Sequence, residues 1–124
     1  MWEVTKSFYF DAAHTLSGTT LGAVAEEVHG HSFRAEVAVE GRPDPATGMV
    51  LDLGKLDEAV ATFRKRLDHK LLNRIEGIGK PTLENLARFI CEELAYVGPV
   101  TRVTITRESC AEACTYRPQA DQPR

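Results

Sequence analysis

Val28-His29-Gly30-His31-Ser32-Phe33 sets two imidazoles one residue apart at the head of an apolar alternation. In an extended strand, side chains at i and i+2 share a face. His29 and His31 therefore project side by side, with Phe33, Ala35, Val37 and Val39 following on the same parity. A second segment has the same character. Trp2, Val4, Phe8 and Phe10 share a parity, and without a bulge His14 of Asp11-Ala12-Ala13-His14 falls on it as well. Pairing these two strands would bring three of the chain's four histidines to one end of a buried face. A neutral imidazole is the usual nitrogen ligand of zinc, and three protein ligands with an open fourth position is the catalytic pattern. Hydrogen-bonded histidines at a strand end are the alternative. The third imidazole tips the reading to metal, so His14, His29 and His31 are the expected ligands of Zn2+.

Working outward, residues 2–11 alternate apolar and polar except at Lys6 and predict a strand, as do residues 29–41. Between them, residues 15–27 carry two glycines and no sustained period, a loop of the length that usually has a function. Gly41-Arg42-Pro43-Asp44-Pro45-Ala46-Thr47-Gly48 reads as a turn, and Met49-Val50-Leu51 as a short third strand. Asp52 can cap a helix whose stripe is Leu53, Leu56, Val60, Phe63 and Leu67, ending near Asp68–Asn73. Thr82 can cap a second with Leu86, Ile90, Leu94 and Val97 inside, stopped by Gly98-Pro99. Residues 100–108 alternate again with Val103 and Ile105 inward, and Cys114–Arg117 is a candidate last strand. Hairpin-type connections and two grouped helices make the expected class α+β, an antiparallel sheet with both helices on one face. A single domain over residues 1–117 and a polar tail over 118–124 are expected. So small a sheet leaves edges to manage, and oligomerising through them is one solution.

Composition narrows the classes. The chain has 124 residues, 43% of them hydrophobic, which is enough for one real core. The formal charge of -3 and the absence of a basic cluster argue against nucleic acid as a partner. No apolar run approaches the roughly 20 residues needed to cross a bilayer, so no membrane partner is expected. The first residues lack the apolar core of a signal peptide. Three cysteines give no disulfide framework, which suits a reducing, cytoplasmic setting.

With these residues in view, the chain resembles the 6-pyruvoyl-tetrahydropterin synthase family, which includes the 6-carboxy-tetrahydropterin synthases. The likeness is carried by Phe10–His14 and His29–Phe33, then Gly48–Asp52, Leu67–Asn73 and Pro81–Asn85. Arg107-Glu108-Ser109-Cys110 and Cys114-Thr115-Tyr116-Arg117 complete it. The resemblance implies the tunnelling fold, in which subunits join their sheets into a trimeric barrel and two trimers stack as a homohexamer. It also implies active sites at subunit interfaces and a small-molecule pterin substrate.

Roles then attach to particular residues. A carboxylate beside an imidazole orients it and raises its basicity, so Asp68-His69 is a candidate proton shuttle. A helix-end pair interacting with the dipole is its structural alternative. Glu108 reads by itself as a solvated strand-end carboxylate on the parity of Arg102, Thr104 and Thr106. The resemblance makes it the pterin anchor, where its oxygens suit the ring's adjacent N–H donors. Cys110 and Cys114 are weak as a metal pair, and Cys91 reads as packing. Common family members place a catalytic cysteine four residues before the first histidine of His-Gly-His, where this chain has Ala25. Glu26 stands one residue later and resembles a variant pattern linked to folate biosynthesis. That variant trims the side chain of 7,8-dihydroneopterin triphosphate to give 6-hydroxymethyl-7,8-dihydropterin. Glu26 is therefore the candidate base. A 6-carboxy-tetrahydropterin synthase-type activity and a catalytically silent pterin binder are the alternatives.

Overall fold

The computed structural model describes residues 1–17 and 27–119. In chain order these form β1 (Trp2–His14), β2 (His29–Gly41), α1 (Leu53–Arg64), α2 (Leu83–Leu94), β3 (Val100–Arg107) and β4 (Glu112–Tyr116). Short 3₁₀ turns occupy Leu72–Arg74 and Glu108–Cys110. The sheet is antiparallel in the order β1-β2-β3-β4. β1 and β2 pair in unbroken register from Trp2↔Gly41 to His14↔His29, so no bulge displaces His14 from the apolar parity. The one irregularity between the named strands falls at Ala38/Val39, far from the histidines.

One face of the sheet is apolar. Phe8, Phe10, Phe33, Ala35, Val37, Val103 and Ile105 pack with Leu56, Val60 and Phe63 of α1 and with Leu86, Ile90 and Leu94 of α2. Both helices therefore cover the same face, as the grouped pattern predicts. Lys6, the exception to the alternation, lies on that face at its edge, and its Nζ is 2.5 Å from the Asp57 carboxylate on α1. Phe10 is 1% exposed and stacks on Phe33 with ring centroids 5.0 Å apart. Removing so enclosed a ring forfeits its transfer energy and leaves a cavity. Phe10→Ala is expected to cost about 3–5 kcal/mol in denaturant unfolding. A loss under about 1 kcal/mol would show that the layer under the histidines is not packed as described.

The helix caps follow the sequence. Asp52 accepts from the Gly54 N–H at 2.8 Å, and Thr82 from the Asn85 N–H at 3.2 Å. Leu53, however, stays exposed, and α1 ends at Arg64, so Leu67 is buried from the turn that follows rather than from the helix. Met49-Val50-Leu51 is not a strand. Its backbone serves the preceding turn, with the Asp44 N–H donating to the Met49 carbonyl (2.9 Å) and the Met49 N–H to Thr47 Oγ1 (3.2 Å). Gly48, at φ +74°, supplies the left-handed residue that this turn needs. Apolarity here means packing, not pairing: Val50 and Leu51 both lie against the core. Among the described residues no helix is long and apolar enough to cross a membrane. Of the tail expected over 118–124, residues 120–124 lie outside the described residues.

Candidate active site

His14, His29 and His31 meet at the end of the apolar face. One ring nitrogen from each lies within 4.8 Å of the other two. His14 is 1% exposed and is the one buried polar residue in the described core. The rings meet edge to face, with centroids 4.6 to 5.1 Å apart.

Hydrogen-bond partners fix which nitrogens are bare. His14 Nδ1 is 2.9 Å from the Pro81 carbonyl, and His29 Nδ1 is 2.8 Å from the Glu27 carbonyl. A carbonyl only accepts, so both Nδ1 atoms carry the proton, and in the neutral rings both Nε2 atoms carry a lone pair. Those two Nε2 atoms face each other at 3.0 Å. Two lone pairs at that distance repel unless a cation lies between or beside them. His31 Nε2 meets a guanidinium donor, Arg107 Nη1, at 3.5 Å, so it too presents a lone pair. Backbone carbonyls that orient ligand imidazoles in this way are the usual outer partners of a metal centre. The donor set fits a divalent metal ion, with these three residues as its holders.

The electrostatics favour the neutral form of His14 and His31. Burial pushes His14 below its ordinary value, although the Pro81 carbonyl pulls the other way. His31 is lowered to about 4, by burial first and then by Arg107 and the other two imidazoles. A metal ligand must be unprotonated, and this environment favours that form.

Asp68 and His69 sit elsewhere. The segment after α1 docks along the outer edge of β1, as a ladder of long-range bonds. Asp68 Oδ1 accepts from the Asp11 N–H (2.9 Å), the His69 N–H donates to the Asp11 carbonyl (2.6 Å), and the Ala13 N–H donates to the Lys70 carbonyl (3.0 Å). Asn73 finishes it, accepting from the Thr15 N–H and donating to the Thr15 carbonyl (2.9 and 3.0 Å). His69 takes a left-handed backbone, φ +60°, a region that histidine enters more readily than most residues. Its Nδ1 donates to Asp68 Oδ2 at 2.9 Å, which leaves Nε2 as the acceptor on a ring that is 78% exposed.

Asp68 is held below the usual carboxylate range, first by the Asp11 N–H and next by the His69 bond. Its folded-state value lies under its unfolded value, so its contribution to stability is present above the ordinary carboxylate pKa. It fades as pH falls through the folded value. Asp68→Asn is therefore expected to melt below wild type at pH 7, with the gap shrinking as the pH falls below the ordinary carboxylate range. A gap independent of pH would mean that the carboxylate charge plays no part.

The three groups do not all meet within one chain. His69 lines an open cleft of about 530 Å³ with Asp11, Ala13, Gly30 and Ser32. By strand alternation those four residues lie on the face opposite the histidines, and of the three only His31 borders the cleft. On the helix side, His14 opens instead into a cavity of about 480 Å³ with Thr82, Arg107, Glu112 and Cys114. Glu108 is not in a strand. It begins the 3₁₀ turn after β3, exposed, with Oε1 accepting from Arg34 Nε at 3.1 Å. It lines a small depression that touches the cleft at Ser32. Ala25 and Glu26 lie outside the described residues.

Sequence reasoning missed Pro81, Asn73, Asp11 and Arg107. The first three act through backbone or edge contacts that no pattern announces. Arg107 did leave a signal: it shares the inward parity of Val103 and Ile105, so a charge stands at the head of an apolar face, as the histidines do.

The same arrangement of elements is found in known proteins. The family model for 6-pyruvoyl tetrahydropterin synthase matches residues 3–119. The dihydroneopterin monophosphate aldolase of Pyrococcus furiosus is 42% identical over 85 residues, covering 68% of each chain. The 6-carboxy-5,6,7,8-tetrahydropterin synthase of a Synechocystis species is 34% identical over 122 residues, covering 94% of this chain and 93% of its own. Caenorhabditis elegans 6-pyruvoyl tetrahydropterin synthase superposes with a TM-score of 0.81 at 27% identity, over 95% of this chain and 96% of its own. With the match spanning nearly every described residue, this chain belongs to the 6-pyruvoyl tetrahydropterin synthase family.

Proposed function

We propose that this chain is a zinc-dependent lyase acting on the side chain of 7,8-dihydroneopterin triphosphate, with 6-hydroxymethyl-7,8-dihydropterin as product. The observation that carries the reading is the set of three imidazoles with a ring nitrogen each within 4.8 Å of the others, two of them facing each other with bare Nε2 atoms. A zinc ion held by His14, His29 and His31 supplies Lewis acidity toward a side-chain hydroxyl and makes its proton easier to lose. Glu26 takes the proton from the hydroxyl on the second side-chain carbon. The bond between the first and second carbons then breaks, the departing fragment leaves as an aldehyde, and the electron pair passes to the first carbon and the ring. The His69 imidazole, oriented by Asp68, returns a proton to that first carbon. Glu108 accepts from the ring's amino and N–H donors and holds the pterin. The aldolase activity in the name of the Pyrococcus relative is of this bond-breaking kind.

The assembly we propose is a homohexamer, two stacked trimers. Its support is the docking of Asp68-His69 at the outer edge of β1. Of the three histidines only His31 borders the His69 cleft, so a second copy would be needed to bring a His69 to the cavity beside His14. Sedimentation giving a monomer at all concentrations would remove that placement.

A 6-carboxy-tetrahydropterin synthase-type reaction is favoured by the Synechocystis relative but opposed by Ala25, whose methyl group cannot move a proton. The deciding experiment is product identification after incubation with 7,8-dihydroneopterin triphosphate. Release of 6-hydroxymethyl-7,8-dihydropterin supports the lyase. A product with a retained three-carbon side chain overturns it. Binding without turnover identifies a silent pterin binder.

A further inference from the structure

Arg107 is an expensive residue to place where it stands. Its side chain is only 15% exposed, and its Nε is the one buried side-chain nitrogen or oxygen among the described residues that lacks a hydrogen-bond partner. A guanidinium carries five N–H donors in a planar fork. One Nη2 donor is spent on the Glu112 carboxylate, directly across the β3–β4 ladder. Nη1 only approaches His31 Nε2, at 3.5 Å. Nε has no acceptor. Native proteins rarely bury a charge and leave its donors unmet unless a ligand takes them.

The guanidinium lies beside the histidine cluster. Arg107 and His14 line the same cavity of about 480 Å³, and His31 is the residue that Nη1 approaches. A group bound at the three imidazoles through one oxygen would therefore bring a neighbouring oxygen to the guanidinium. The charge around the cavity limits what that oxygen can be. Glu84 and Glu112 also line it, so with a divalent ion held by the imidazoles the cavity would carry three positive charges against two negative, and one further negative charge would balance it.

We propose that Arg107 is a substrate-binding residue that holds the side-chain oxygen next to the one bound at the histidines, in a site that takes at most one negative charge. The assignment rests on the metal-centre reading above and adds to it a second point of contact. Glu112 has a matching part: it aims the guanidinium and at the same time competes with the ligand for it.

The test uses the full-length protein loaded with cobalt(II), whose visible spectrum reports on the inner ligands, and acetate as the probe. Wild type is expected to show a saturable spectral change with acetate. Arg107→Met should weaken acetate about ten- to hundred-fold, the usual value of a charge-assisted hydrogen bond, and should keep one cobalt per chain. Arg107→Lys should fall between them, because it keeps the charge and loses the fork. Glu112→Gln should bind acetate more tightly than wild type, since the competing carboxylate is gone. A merely structural role for the ion pair predicts the opposite sign there. Acetate affinity unchanged in Arg107→Met and Arg107→Lys, or weakened in Glu112→Gln, would overturn the assignment. Tighter binding of inorganic phosphate than of acetate would overturn the limit to one charge. Failure of wild type to take up cobalt would instead count against the metal centre itself.

Discussion

The double substitution His29→Ala/His31→Ala is expected to abolish stoichiometric metal binding and all turnover that depends on it. His14 and His29 are each held with Nε2 free, by the Pro81 and Glu27 carbonyls, and His31 Nε2 faces the Arg107 guanidinium at 3.5 Å. Losing an outer partner alone typically costs 10–100-fold in affinity. Losing two of three ligands leaves His14 alone and should exceed that by orders of magnitude. The fold should survive, because both rings sit at the rim of the sheet and are only partly buried, whereas His14 is the deeply buried member. Metal analysis after mild dialysis is the measurement. About one zinc per chain is expected in wild type and essentially none in the double variant. Equal retention by both would move the metal elsewhere.

The second large effect is expected at Glu26. Gln keeps the size and polarity of the side chain but cannot take up a proton, so Glu26→Gln isolates the base from the binding surface. General acid–base catalysis typically supplies ~10²–10⁴-fold. We expect kcat to fall by about that factor with pterin affinity nearly unchanged. The Glu27 carbonyl holds His29 Nδ1 at 2.8 Å, while Glu26 itself lies outside the described residues. Full activity in Glu26→Gln would pass the role to Glu27. A parallel loss of binding would mean that Glu26 contacts the ring rather than the reacting carbon.

How far the sequence announces these features depends on whether they are periodic. His14, His29 and His31 are legible because a strand repeats every two residues, and a shared parity survives any amount of twist. Lys6 looks like a break in the pattern until Asp57 is placed opposite it, 51 positions away in the chain. Met49–Leu51 has strand composition, but composition does not say whether a free ladder edge is at hand, and here the turn takes the hydrogen bonds. Glu108 shows the cost of extending an alternation by one residue: the strand ends at Arg107 and the carboxylate turns toward Arg34. The contacts of Asn73 and Pro81 reach across 58 and 67 positions. Nothing local encodes them. That Asp68-His69 dock at the outer edge of β1 is likewise a matter of topology.

The ladder that binds residues 68–73 to β1 has a further result for how the sheet can grow. Alternation turns the backbone groups of the odd-numbered residues of β1 away from β2. From Tyr9 onward those groups are occupied, by Arg64 at the Tyr9 carbonyl and by the docked segment at Asp11, Ala13 and Thr15. Glu3, Thr5 and Ser7 keep theirs open. An incoming strand thus finds a berth of five residues, roughly 17 Å at the usual rise, closed at one end by Arg64. β4, from Glu112 to Tyr116, is the same length and forms the sheet's opposite edge. The end of α1 works as a buffer stop: a strand arriving from another molecule would slide along β1 only until it met Arg64, one turn of chain before the segment that carries His69.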